Sequence, residues 1–276
     1  MGIFDGCLLA CDIDGTLIES GYINPQNIEK IKYFMDEGGA FSLCTGRSMG
    51  AISDALSKLP PISPCVVLNG GMIYDYTKEK TLFDVKIPKE DYRIAEIVKN
   101  CEEDVGIEIH ARENVFTIVR NYYTDLHQEY EKFEAPLVDF TFASKYDWNK
   151  VLFTFESDEQ REIIVELLKT EKTNSKFIKT CATIDGKPNS YYEQIPLGVS
   201  KATAIDKLCE ILDIKKGKVF AIGDYYNDLE MIKKADISAA PVTSPDDLKG
   251  FADYITVSCK NGAVADFINF LTNKYK

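Results

Sequence analysis

Three short apolar runs divide the first part of the chain, at residues 7–11, 40–44 and 65–68, and each ends in a polar loop. Runs of this length bounded by turn residues are typical of buried strands. Between the first two runs, apolar residues recur at helical spacing after the capping pair Asn24-Pro25 and stop at Gly38-Gly39. A second helical stretch follows the second run. The alternation predicts a parallel sheet covered by helices.

The same alternation resumes late in the chain, with a helix at residues 201–212, a strand at 219–222, a helix at 229–234 and a strand at 236–240. The intervening segment differs, because it combines a helix near 89–103 with strand-like pieces near 106–111 and 115–119 and further mixed elements. We therefore predict an α/β protein with two domains. The domains are a discontinuous Rossmann-like parallel-sheet core of residues 1–85 and 196–276 and an inserted α+β domain of residues 86–195.

The charge balance of the chain is acidic. Its 276 residues include 32 Lys and Arg against 44 Asp and Glu, a formal net charge of -12. Such a balance opposes broad contact with nucleic acid or with an anionic membrane surface, so neither is an expected partner. A small anionic ligand is compatible with it where basic groups converge locally.

Eight cysteines are scattered without a CxxC pair, and several lie inside the apolar runs. This pattern is typical of reduced thiols in a core and predicts a cytoplasmic protein. Residues 1–6 lack the basic segment of a signal peptide, and no apolar run approaches the roughly 20 residues of a membrane span.

Two acidic turns follow predicted buried strands. Asp12 and Asp14 come directly after the first strand, where Gly15 permits a turn, and Asp224 and Asp228 follow the strand at 219–222. Open α/β sheets bind ligands at these strand ends, and carboxylates so close together call for a hard cation. Each turn alone could cap a helix, but the pair favours a functional site.

These turns belong to a longer series of motifs. In order, it comprises Asp12-Ile13-Asp14-Gly15-Thr16, Cys44-Thr45-Gly46-Arg47, Leu68-Asn69-Gly70, Gly198-Val199-Ser200-Lys201 and Gly223-Asp224-Tyr225-Tyr226-Asn227-Asp228. The series resembles the haloacid dehalogenase-like (HAD) hydrolases, specifically the Cof-type phosphatases with a large inserted α+β cap (C2B type). The resemblance spans nearly the whole chain. Its first and last motifs are highly specific as a pair, and the middle ones are weak alone.

The resemblance implies the roles of the catalytic residues. Asp12 would be the nucleophile and Asp14 the general acid and base, while Thr45 and Lys201 would bind the phosphate. Mg²⁺ would be held by the Asp12 side chain, the Asp14 carbonyl and Asp224, with Asp228 supporting the metal site from behind. Considered alone, Thr45 is more typical of a helix cap and Lys201 of a solvated helix.

Substrate contacts are also implied by the resemblance, from Ile13, Gly46, Arg47, Asn69, Gly70 and Asn227. Arg47 and Asn69 could equally be ordinary loop residues. In the predicted inserted domain, His110, Arg112, His127 and Trp148 could contact a sugar or an aromatic ring. Such side chains are more often exposed strand or helix residues or part of a packed core.

The expected function is Mg²⁺-dependent hydrolysis of a small phosphorylated metabolite through an aspartyl-phosphate. Sugar phosphates are the first expected substrates, followed by nucleotide, flavin or pyridoxal phosphates. The protein is expected to be a monomer or a small homo-oligomer. A phosphomutase or phosphotransferase using the same nucleophile is an alternative. A non-catalytic phosphometabolite-binding protein is disfavoured, because Asp12, Asp14, Lys201 and Asp224 are all present.

Overall fold

The computed structural model describes residues 2–62, 64–101, 103–184, 187–215 and 218–275, without the side chains of residues 181–184, 187 and 188. The chain forms two compact units. The first unit contains Met1–Gly46, Ser53–Phe83 and Ser200–Lys276, and the second contains Arg47–Ile52 and Asp84–Val199. None of the helices within the described ranges has the length and apolar character needed to cross a bilayer.

The strands in chain order are β1 Leu8–Cys11, β2 Ile18–Glu19, β3 Tyr22–Ile23, β4 Ala40–Leu43, β5 Cys65–Val67, β6 Met72–Asp75, β7 Lys80–Asp84, β8 Gly106–Ala111, β9 Asn114–Val119, β10 Lys150–Thr154, β11 Ser175–Ile184, β12 Lys187–Pro196, β13 Val219–Ile222, β14 Ile237–Pro241 and β15 Tyr254–Thr256. The α-helices are α1 Pro25–Asp36, α2 Ser53–Ser57, α3 Arg93–Lys99, α4 Tyr122–Glu131, α5 Phe140–Ala143, α6 Asp158–Lys169, α7 Lys201–Leu212, α8 Leu229–Lys234, α9 Asp246–Lys249 and α10 Ala263–Tyr275.

A five-stranded parallel sheet forms the centre of the first unit, in the order β15-β14-β13-β1-β4. Strand β1, which lies between β13 and β4, is fully buried and is a continuous apolar run, as expected for a strand covered on both faces. Cys11 at the end of β1 pairs with Ile222 at the end of β13. The loops that follow these two strands therefore start side by side at one edge of the sheet.

The third predicted strand, β5, is not one of the five strands of this sheet. β5 pairs antiparallel with β6, in a three-stranded sheet completed by β7, and touches the segment after β4 through one parallel bridge, Cys44↔Val66. The reason is local: the turn at Leu68–Gly70 has positive φ at all three residues and reverses the chain. Hydrophobic patterning identified the strand but not its partner.

Helix starts follow the capping signals in the sequence. The Asn24 side chain accepts a hydrogen bond from the Gln26 N–H at 2.9 Å, and Pro25 occupies the first helical position of α1. The predicted helix at 89–103 is shorter than expected. A 3-10 turn at Lys89–Tyr92 precedes α3. The helix ends before Asn100, which has φ -94° and ψ 1°, because Asn has a low helix propensity.

An antiparallel sheet in the order β11-β12-β10-β8-β9 organises the second unit. One face carries an apolar core in which the Trp148 ring stacks on Tyr92 with centroids 3.7 Å apart. Ile107 and Ile109 of β8 point into this core. The residues that alternate with them are polar, so the opposite face differs.

Polar side chains are buried on that opposite face. Glu108 accepts a hydrogen bond from Gln128 Nε2 and pairs with His127 of α4, whose Nδ1 lies 2.8 Å from Glu108 Oε2. His127 Nε2 lies 3.5 Å from Glu131 Oε1. Two carboxylates on either side of an imidazole favour its charged form. His127 thus binds α4 to the sheet electrostatically.

The pKa of His127 reflects this environment. Burial alone would lower it, but the charges of Glu108 and Glu131 outweigh burial and raise the pKa to about 10. Burial and Lys150 hold the pKa of the neighbouring His110 well below its usual value. Lys150 Nζ lies 3.6 Å from Glu193, and the charges of Lys150 and Arg47 also act on Glu131. His127 is therefore the charged member of the histidine pair at neutral pH.

We expect His127→Gln to destabilise the second unit by about 3 kcal/mol, because it removes the positive charge that lies between two buried carboxylates. A folded-state pKa raised above the unfolded value of 6.5 contributes stability that is complete below about pH 6.5 and is lost as pH rises toward about 10. Urea unfolding across this range should show a steeper alkaline loss in the wild type than in His127→Gln. His110→Gln is the matched control and should keep the wild-type slope; equal slopes in all three proteins would contradict the assignment.

Candidate active site

Three carboxylates converge where β1 and β13 end. The Asp12 N–H donates to the Ile222 carbonyl at 3.0 Å, which fixes Asp12 directly beyond the sheet. One oxygen each from Asp12, Asp224 and Asp228 lies within 4.8 Å of the others, the sole grouping of this kind among the described residues. The two acidic turns predicted from sequence are therefore neighbours in space.

Lys201 neutralises part of this charge. Its Nζ lies 2.6 Å from Asp12 Oδ1 and 2.5 Å from Asp228 Oδ1, and the residue is 1% exposed. A reciprocal capping box between Ser200 and Thr203 sets the start of α7, so Lys201 is fixed at the first turn. Burial would lower the pKa of Lys201, but Asp12 and Asp228 outweigh burial and raise it.

Lys201 alone does not balance the charge of the three carboxylates. Burial and the charge of Asp228 raise the pKa of Asp12 to about 7 despite Lys201, and burial and the charge of Asp12 raise the pKa of Asp224 well above its usual value. Three carboxylates and one ammonium leave two negative charges when all are ionised. A hard divalent cation with oxygen ligands fits this donor set in both charge and chemistry.

Asp228 has an organising position within the cluster. Its Oδ1 pairs with Lys201, and its Oδ2 accepts hydrogen bonds from the main-chain N–H groups of Asp224 at 3.1 Å and Tyr225 at 3.2 Å. The side chain is fully buried. Because both oxygens are engaged, Asp228 is suited to orient the Asp224 loop and Lys201 from behind.

The Asp12 loop is shaped around Asp224. Gly15 has φ +79°, and a Cβ there would lie 2.3 Å from Asp224 Oδ2. Thr16 donates a hydrogen bond from its Oγ1 to Asp224 Oδ1 at 3.1 Å. The sequence motifs alone predict no role for Thr16, although it lies in the first motif, because its partner is 208 residues away.

Asp14 lies beside the cluster without joining it. Its carboxylate is not among the three converging groups, although its charge contributes to raising the pKa of Asp12, after burial and Asp228. Ile13 between the two is fully buried, and its predicted substrate contact stays a prediction. The predicted proton-transfer and carbonyl roles of Asp14 stay predictions.

The loop after β4 is joined to the turn after β5. Thr45 is almost fully buried, and its carbonyl accepts a hydrogen bond from the Asn69 N–H at 3.0 Å. The Asn69 Oδ1 accepts a hydrogen bond from Asn227 Nδ2 at 3.1 Å, and Asn227 directly precedes Asp228 in the sequence. Gly46 and Gly70 lie in the same two loops. The first unit thus contains every predicted site residue except Arg47.

Arg47 belongs to the second unit. Its guanidinium carbon lies 5.2 Å from the centre of the Tyr130 ring, and Nη1 donates to the Ala51 carbonyl at 3.3 Å. A cation over an aromatic face is a stabilising contact in its own right. The predicted substrate contact of Arg47 stays a prediction.

Such a site can support attack by a carboxylate on an anionic electrophile. A buried nucleophile, a fixed ammonium and oxygen ligands for a cation supply the components of phosphoryl transfer, in which positioning and charge stabilisation dominate.

A model of the haloacid dehalogenase-like hydrolases matches residues 9–268. The chain belongs to this family. The 5-amino-6-(5-phospho-D-ribitylamino)uracil phosphatase YwtE of Bacillus subtilis is 28% identical, over 95% of this chain and 97% of that protein. The Bacillus subtilis protein YcsE, named for the same activity, is 26% identical over 90% of this chain and 89% of its own length.

Solved structures share the fold. A sugar phosphatase of HAD subclass IIB superposes with a TM-score of 0.82 at 21% identity, covering 96% of this chain and 99% of that one. A HAD phosphatase from Bacteroides thetaiotaomicron superposes with a TM-score of 0.78 at 21% identity, covering 96% and 95%. The predicted family and α/β fold class are confirmed, and the chain is a phosphoric monoester hydrolase.

The close approach of Gly15 to Asp224 predicts the effect of a single methyl group. Gly15→Ala should reduce hydrolysis of an aryl phosphate by on the order of 100-fold, because the new Cβ displaces the Asp224 carboxylate. Gly21→Ala is the matched control, since Gly21 also has positive φ but no atom lies within 4 Å of its added Cβ. Both variants should lose about 1 kcal/mol of stability from backbone strain, and only Gly15→Ala should lose activity. Equal kinetics of the two variants would contradict the role of this contact.

Proposed function

We propose that the protein is a Mg²⁺-dependent phosphatase that hydrolyses small sugar or sugar-alcohol phosphates through a phosphorylated Asp12. The observation that carries the proposal is the arrangement around Asp12. This carboxylate is fixed at the end of β1, 2.6 Å from Lys201 Nζ and beside Asp224 and Asp228. No simpler structural role explains two buried carboxylates and one half-buried carboxylate around one buried ammonium, because such a cluster is costly for folding.

In the first half of the reaction the Asp12 carboxylate attacks phosphorus and the bond from phosphorus to the ester oxygen breaks. The departing alkoxide takes a proton from Asp14 and leaves as the alcohol. In the second half, Asp14 removes a proton from water, and the resulting hydroxide attacks phosphorus. Inorganic phosphate leaves and the Asp12 carboxylate is restored.

The binding residues act on charge. Lys201 would offset the negative charge of the phosphate, and Thr45 and Asn227 would donate hydrogen bonds to its oxygens. Asp12, Asp224 and the Asp14 carbonyl would hold Mg²⁺, with Asp228 fixing the Asp224 loop. The metal supplies the positive charge that lets an anionic nucleophile approach an anionic phosphate.

The substrate class follows from two considerations. Sugar phosphates are the first class that the family resemblance implies, and two relatives are named for a phosphate ester of a ribityl chain, which derives from a sugar alcohol. Sugar phosphates and this ribityl phosphate both contain a phosphate on a flexible polyhydroxylated carbon chain. We therefore place this class ahead of nucleotide, flavin and pyridoxal phosphates.

A panel of phosphomonoesters tests the substrate class. We expect kcat/KM to be about tenfold or more higher for a sugar or sugar-alcohol phosphate than for nucleoside monophosphates, flavin mononucleotide or pyridoxal phosphate, since the shared phosphate contacts cannot discriminate and hydroxyl recognition must. Phosphate release at equal substrate concentration measures this. The panel includes 5-amino-6-(5-phospho-D-ribitylamino)uracil, and a preference for nucleotides would contradict the class.

Substitutions separate the nucleophile from the metal ligand. Asp12→Asn should reduce aryl phosphate hydrolysis by on the order of 10⁴-fold at any Mg²⁺ concentration. Asp224→Asn should raise the Mg²⁺ concentration needed for half-maximal activity by about tenfold or more, and EDTA should abolish wild-type activity.

Asp5→Asn is the matched control, because Asp5 is exposed and precedes the opposite end of β1. It should behave as the wild type. Substantial activity in Asp12→Asn, or hydrolysis that survives EDTA, would refute the corresponding half of the proposal.

A further inference from the structure

The turn at Leu68–Gly70, directly after β5, has an unusual backbone. Leu68 and Asn69 both have φ 54°, and Gly70 follows with φ 101°. Left-handed conformation costs a residue with a Cβ roughly 1 kcal/mol, and it persists where surrounding contacts impose it. Two such residues in succession indicate that this turn is held by its neighbours.

The first neighbour is the loop that carries Thr45. The Thr45 N–H donates to the Val66 carbonyl at 2.9 Å, and the Asn69 N–H donates to the Thr45 carbonyl at 3.0 Å. A Cβ on Gly46 would lie 2.9 Å from the Asn69 Nδ2. The main chain of Thr45 and Gly46 is therefore seated against Asn69.

The second neighbour is the start of α7. A Cβ on Gly70 would lie 2.2 Å from the Ser200 carbonyl oxygen. Ser200 caps the helix and directly precedes Lys201. The turn thus contacts the N-cap residue of α7, the helix whose first residue is Lys201.

The third neighbour is the loop after β13. The Asn69 side chain is 2% exposed, and its Oδ1 accepts the hydrogen bond from Asn227 Nδ2 at 3.1 Å. Asn227 precedes Asp228, which pairs with Lys201. Through one side chain and its flanking residues, the turn touches three loops that carry site residues.

We propose that Asn69 is a positioning residue whose side chain orients the Asn227 amide and whose main-chain N–H seats the Thr45 loop, rather than a residue that contacts the substrate. The assignment rests on the proposed function only in taking Thr45 and Asn227 as phosphate contacts. Fixing the Asn227 amide in advance removes the entropy cost of ordering it when phosphate binds.

Asn69→Gly tests this assignment, because glycine removes the amide and adopts positive φ without strain. We expect inorganic phosphate, measured by calorimetry in the presence of Mg²⁺, to bind about tenfold more weakly, with a similar loss of kcat/KM on an aryl phosphate. Glu79→Gly is the matched control, since Glu79 has φ 50° on an exposed turn of the same unit. It should leave both quantities unchanged.

A double-mutant cycle with Asn227→Ala decides whether Asn69 acts through Asn227. We expect Asn69→Gly to weaken phosphate binding by at most about twofold once Asn227 is replaced, because coupled residues are not additive. A tenfold effect that persists in the Asn227→Ala background would overturn the proposal, as would wild-type phosphate binding in Asn69→Gly. Phosphate binding without turnover in the wild type would instead refute the proposed phosphatase mechanism and leave this cycle informative.

Discussion

Lys201 Nζ lies 2.6 Å from Asp12 and 2.5 Å from Asp228, with almost no access to solvent. Out of water, both the attraction to each carboxylate and the repulsion among the carboxylates are strong, so these groups can coexist only in a fixed geometry. One ammonium cannot balance three carboxylates. The site is therefore built to receive positive charge, and the rest of the first unit serves to bring these groups to one edge of its sheet.

Three of the motif glycines are explained by close contacts with other residues of the site. Gly15 leaves room for Asp224, Gly223 leaves room for Asp228, and Gly70 leaves room for the Ser200 carbonyl. Each pair joins segments that a local pattern treats as independent, except Gly223 and Asp228. Close packing of these loops, rather than freedom of movement, is what requires glycine at Gly15 and Gly70.

Local signals in the sequence identified most elements, because hydrophobic period and capping act over a few residues. The strands at Gly106–Ala111 and Val219–Ile222 and the helix at Lys201–Leu212 have the predicted bounds. The antiparallel partner of β5, the bond from Thr16 to Asp224 and the contact between Asn69 and Asn227 depend on residues far apart in sequence. The family motifs gave the positions of the site residues, and the structure adds which of them touch; their catalytic roles stay predictions.

The two units bury charge in different ways, and the difference separates structure from function. In the second unit, Glu108 has His127 and Gln128 as partners, so its charge is met by side chains of the chain itself. A carboxylate satisfied in this way fixes α4 to the sheet and has no need of a ligand. In the first unit, burial and neighbouring charge raise the pKa values of Asp12 and Asp224 even though Lys201 is present. Folding stability alone would favour removing such a deficit of positive charge, so its presence at the end of β1 is best explained by the cation and phosphate chemistry that it makes possible.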